Sequence, residues 1–132
     1  MNIARVMIAA VTLLAGSAAL ADEFSAADLQ RWDEQFQSVV AQGRKLWTTP
    51  ELSMNGVVCA QCHPNAANTH PETYPKFQKQ LGKVASLWEM VNWCLRNPLE
   101  GESLAADDPR MTAMLAYIAW ERRGVELQPG KH

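Results

Sequence analysis

Two cysteines three residues apart, followed at once by a histidine, stand at Cys59-Ala60-Gln61-Cys62-His63. Two thiols at that spacing reach the two vinyl groups of one porphyrin and form thioether bonds with them. The adjacent imidazole then lies under the iron. This is the attachment pattern of haem c. It makes Cys59 and Cys62 the expected anchors of one covalent haem and His63 its expected proximal iron ligand. Other uses of the pair fit less well. A zinc site needs further ligands, and the only other histidines are His70 and His132. A thioredoxin-like pair needs a βαβ context. A Cys59–Cys62 disulfide would be strained and would leave His63 without a role.

The chain holds three cysteines, an odd number that excludes a complete disulfide framework. The third, Cys94, lies four residues after Met90, so the two share one flank of a helix. Either side chain can face the far side of the haem. On the residues alone, three roles for Cys94 stay open: distal thiolate ligand of the iron, free buried thiol, or half of an intermolecular disulfide. Met90 is the alternative distal ligand. Met111 and Met114 read as core packing, His70 as a loop histidine between prolines, and Met54 as a loop residue.

These side chains need elements to hold them. Ser25 and Asp28 signal a helix start, and Leu29, Trp32, Phe36, Val39, Val40, Gly43, Leu46 and Trp47 recur at helical spacing to about Trp47. Residues 48 to 58 read as a loop with a turn at Asn55-Gly56. Residues 64 to 75, with three prolines, are irregular, and Pro75 can open a short helix over residues 76 to 80. Val84, Leu87, Trp88, Val91 and Leu95 mark one face of a helix from about Lys83 to Arg96. Asn97-Pro98 ends it. Asp107 or Asp108 caps a last helix, whose stripe is Met111, Met114, Leu115 and Ile118, with Tyr117 beside them, and which Gly124 stops. No strand pattern is visible. Trp32, Trp47 and Trp120 are expected to pack. Trp93 falls opposite the stripe of its helix and is expected at the surface, where it would help dock a partner. The expected fold is all-α: about four helices wrapped around one covalent haem, with long loops.

Gly43-Arg44-Lys45-Leu46-Trp47, the CxxCH motif and a last helix carrying Leu115, Tyr117, Ile118 and Trp120 together resemble the class I cytochrome c fold, across roughly residues 36 to 124. In that fold the first and last helices cross at a small residue. Its usual distal methionine comes from the loop before the last helix, yet residues 97 to 108 contain no Met, His or Cys. Residues 43 to 63, then Val91-Asn92-Trp93-Cys94, then 104 to 118 further resemble the haem domain of the A subunit of Sox-type thiosulfate-oxidising cytochromes, and the first haem domain of thiosulfate dehydrogenases. That resemblance implies His/Cys ligation with Cys94 as the distal ligand. The Sox enzymes place an arginine one helical turn before that cysteine. Here the position is Met90, which weighs against an enzyme handling a sulfur oxyanion.

Residues 1 to 21 read as a signal peptide: a basic start at Arg5, an apolar run from Val6 to Leu14, and Ala19-Leu20-Ala21 as cleavage site. Residues 22 to 132 would then form one monohaem cytochrome c domain, exported to the periplasm, with no integral membrane segment after cleavage. The net charge of −2 over 132 residues argues against nucleic acid as a partner. The expected function is electron transfer, with redox protein partners such as a second cytochrome or a sulfur-oxidising subunit. The alternatives are a haem protein binding NO, CO or O2, and a sulfur-oxidising enzyme subunit that uses Cys94.

Overall fold

Ser25 opens the first helix by a reciprocal cap. Its hydroxyl accepts the Asp28 amide at 3.1 Å, while the Asp28 carboxylate accepts the Ser25 amide at 3.0 Å, satisfying amides that the first turn leaves free. In this computed structural model, which describes residues 24–126, helix α1 spans Ala26–Thr48. The expected signal peptide over residues 1–21 lies outside the described residues. The last helix, α4, spans Pro109–Glu121 and is capped by Asp108, whose carboxylate accepts the Arg110 amide at 2.8 Å.

Helices α1 and α4 cross at Gly43. A Cβ there would press into the Ala113 carbonyl and stand 2.7 Å from Tyr117 Cβ, so the crossing needs the bare backbone of glycine. Around it Val40, Leu46, Trp47, Met111, Met114, Tyr117 and Ile118 are buried. The Trp47 and Tyr117 rings lie 5.8 Å apart, and Arg44 reaches Glu121 across the seam at 2.8 Å. The expected crossing at a small residue is therefore present, and Tyr117 is buried with its stripe as expected.

Between these helices run the single turn α2 (Cys59–Cys62), three short 3-10 turns, and helix α3 (Leu87–Arg96). The architecture is mostly helical with long loops, as expected for a class I cytochrome c-like fold. Three local expectations are corrected. Residues 76 to 80 do not form a short helix, and Lys83 does not begin α3. Instead β1 (Lys76–Gln78) and β2 (Lys83–Ala85) form an antiparallel hairpin pairing Lys76 with Ala85, Phe77 with Val84 and Gln78 with Lys83. Gly82, at φ +66°, supplies the left-handed residue of its turn. Strands of three residues are too short to show an alternation. The third correction is the hairpin itself, since no strand is expected there. Leu29, Trp32 and Phe36 follow the helical stripe, yet they are 55%, 44% and 41% exposed because this end of α1 extends past the core. Trp32 meets Phe24 at 4.7 Å between ring centroids, while Trp47 is buried and Trp120 half-buried. None of the described helices is long and apolar enough to cross a membrane.

Candidate functional site

Helix α2 is one turn, held by its own glutamine. The Val58 amide donates to Gln61 Oε1 at 3.0 Å, and the Gln61 amide donates back to the Val58 carbonyl at 3.1 Å. The turn brings Cys59 and Cys62 to the same cleft. Next, the His63 amide closes the turn on the Cys59 carbonyl at 2.9 Å. The His63 carbonyl in turn accepts the buried Trp47 indole N–H at 2.9 Å, which ties the motif to α1.

The imidazole is oriented by the chain that follows. Its Nδ1 lies 2.8 Å from the Ala67 carbonyl oxygen. A carbonyl only accepts, so Nδ1 carries the proton and Nε2 keeps its lone pair free. The Ala67 carbonyl comes within reach because the backbone doubles back through Asn65 and Ala66, both left-handed at φ 49° and 53°.

The facing wall is α3. Ser86 caps it through Glu89, whose carboxylate accepts the Ser86 amide at 2.8 Å and hydroxyl at 2.9 Å and pairs with Lys83. The hydrogen bond from Lys83, then those from Ser86, hold the Glu89 carboxyl down at about 2. Further along, Asn92 is buried and makes two 2.8 Å hydrogen bonds to the Leu104 backbone, donating to its carbonyl and accepting its amide. This clamp fixes α3 against the segment that leads into α4.

The two walls enclose a cleft of about 380 Å³. Cys59, Cys62 and His63 line it from one side, with Met90, Trp93 and Cys94 from α3. All five candidate residues named from the sequence (Cys59, Cys62, His63, Cys94 and Met90) therefore meet in one place. Trp93 corrects its expectation: it is half-buried and lines the cleft. Helix α3 buries Val91, Asn92 and Leu95, and its cleft-lining residues extend beyond that stripe to Met90, Trp93 and Cys94, so lying off the apolar stripe does not mean lying in solvent. His70 is not among the lining residues and packs on Glu72 at 3.3 Å. Met54 is 80% exposed, and Met111 and Met114 are buried in the core. Two features escape a reading by motif and periodicity: the Asn92 clamp, and the polar lining from Asn68, Thr69, Tyr74, Lys76, Gln78 and Gln80.

The donor set suits a covalently held porphyrin. All three thiols are free. Burial, followed by the neighbouring Cys94 charge, pushes the Cys59 thiol up to about 11. Burial, then Cys62, raises Cys94 as well. Thiols in such surroundings are poor free thiolates but good partners for thioether bonds or for an iron that draws off the proton. Among the described residues no three His, Cys, Asp or Glu side chains converge as a metal cluster. The donors stand around the cleft, with Val57, Leu87, Val91, Leu95, Leu99 and Ile118 supplying an apolar interior for a flat, largely apolar group.

Comparison with known proteins points the same way. The model of the SoxA/TsdA cytochrome c domain matches residues 42–127. A thiosulfate dehydrogenase of Allochromatium vinosum is 32% identical over 107 residues, covering 69% of this chain and 40% of that protein. The L-cysteine S-thiosulfotransferase subunit SoxA of Rhodovulum sulfidophilum is 29% identical over 109 residues, covering 80% of this chain and 38% of the relative. Among solved structures, SoxXA from P. pantotrophus superimposes with a TM-score of 0.64 at 25% identity, covering 77% of this chain and 40% of that one. The chain spans about two fifths of the length of these relatives.

Proposed function

Because this chain belongs to the SoxA/TsdA cytochrome c domain family, we propose that it is an exported monohaem c-type cytochrome that transfers electrons in the oxidation of sulfur compounds. Cys59 and Cys62 hold the haem, His63 is the proximal ligand and Cys94 the distal one, with Met90 as the alternative at that position. The haem, when bound, supplies one-electron chemistry at an iron whose potential a thiolate ligand lowers. The chain's residues do the rest. Ala67 fixes the His63 tautomer, Asn92 fixes the helix that carries Cys94, and apolar side chains line the interior of the cleft they share.

The observation that carries this reading is the single cleft that gathers Cys59, Cys62 and His63 with Cys94. Transfer of electrons is favoured over sulfur-compound turnover by the wall around Cys94. Met90 stands one turn before it, and Arg96 turns away to donate to Ser103 Oγ at 2.8 Å, so among the described residues no arginine lines the cleft. The partner is a second redox protein, as the Rhodovulum sulfidophilum relative is named as a subunit, and the compartment is the periplasm. The intact mass tests the attachment. Protein matured with haem should exceed the mass of its processed polypeptide by one haem and resist acid–acetone extraction. Cys59→Ser/Cys62→Ser should lose all of the added mass. Full retention by the double variant would reject thioether attachment at these cysteines.

A further inference from the structure

The hairpin β1–β2 faces the wrong way for its own composition. Phe77 and Val84, its apolar cross-strand pair, are 58% and 65% exposed. Lys76 and Gln78, on the alternate face of β1, line the cleft. The observed register faces Lys76 inward beside its partner Ala85, which is buried, and leaves the apolar pair outside. Among the described residues Lys76 is the one Lys or Arg lining it, and it makes no ion pair. Its ammonium lies 4.8 Å from the centre of the Tyr74 ring, a contact that holds a cation without neutralising it. Burial pulls it below its usual value, opposed by the charge of Glu72. Tyr74 and Glu72 are the titratable groups that face it, and Glu72 is already engaged by His70. The polar lining comes from one stretch, residues 68 to 80, while the interior is apolar.

We propose that Lys76, with Gln78 beside it, receives a carboxylate of the haem at the polar edge of the cleft. This rests on the haem-binding reading above. A porphyrin of this class is apolar over its ring and carries its two carboxylates on one edge, the same asymmetry as the cleft lining. The lysine then sets how that carboxylate titrates. Paired with an ammonium, the carboxylate stays ionised. Unpaired, it rises into a range where its protonation differs between oxidised and reduced protein, and the midpoint potential acquires a slope with pH.

The experiment is a pH series of midpoint potentials on the haem-loaded protein: wild type, Lys76→Met, and Lys76→Arg as rescue. Covalent haem content and the Soret band are recorded first. The expected result is equal haem content, a lower potential in Lys76→Met at neutral pH, and a new pH-dependent slope in the carboxylate range. Lys76→Arg should return the wild-type profile. A Lys76→Met profile that superimposes on wild type, with haem content equal, overturns the proposal and leaves the haem reading intact. Wild type without covalent haem overturns both. Sulfate and thiosulfate are added in a second arm. If Lys76→Met matches wild type without them, and only wild type shifts when they are present, the lysine serves a soluble oxyanion and the proposal is overturned.

Discussion

The α1–α4 seam and the cleft between α2 and α3 are built by opposite rules. At the seam, protein atoms complete the core: Gly43 admits the Ala113 backbone, and Tyr117, Met111, Met114 and Ile118 are almost fully buried. At the cleft, a single helical turn, left-handed loop residues and a hairpin of three-residue strands hold polar and thiol groups around an apolar space. The seam carries little chemistry and much stability. The cleft carries the donors and depends on hydrogen bonds such as those of Ala67 and Asn92 to aim them. A small domain can thus segregate its rigid half from its chemical half, and a covalent group would then serve as core where side chains do not close the space.

That division can be broken from the rigid side. Gly43→Val would force the crossing apart and should cost about 3 kcal/mol in denaturant unfolding, with the distal ligand field of the folded fraction unchanged. An altered ligand field with intact stability would erase the distinction between the two halves. The acid response of the α3 cap is a smaller effect. The Glu89 carboxyl is held near 2 against an ordinary 4.5. Its contribution is complete above the ordinary value and is lost as the pH falls through that window. Glu89→Gln should therefore be less stable than wild type at neutral pH and lose less of its melting temperature between neutral pH and about pH 3. A parallel loss in both proteins would show that the cap on α3 is not tuned by this charge.

Much of this arrangement was legible in the sequence, for reasons that differ by residue. Cys59, Cys62 and His63 are five neighbours' worth of local spacing, so their joint chemistry needs no fold to be seen. The helices α1 and α4 announce themselves by caps and periodicity, and Gly43 by its place between apolar positions. The hairpin was hidden because its pattern is inverted, with Phe77 outward and Lys76 inward. Asn92 was hidden because its partner, Leu104, lies in irregular chain where no periodicity predicts a contact. Trp93 departs from the surface position its spacing suggests because the cleft takes in more of α3 than the buried stripe, reaching Met90, Trp93 and Cys94 as well as Val91 and Leu95. The helical spacing of Leu29, Trp32 and Phe36 gives the helix but not its burial, because this end of α1 extends past the core and leaves all three exposed.

The role of Cys94 is the centre of the account, and electron paramagnetic resonance of the oxidised, haem-loaded protein tests it most directly. Wild type should give a low-spin signal with the narrow g spread of thiolate ligation, and Cys94→Ala should lose it. An identical spectrum from the two proteins would contradict ligation by Cys94.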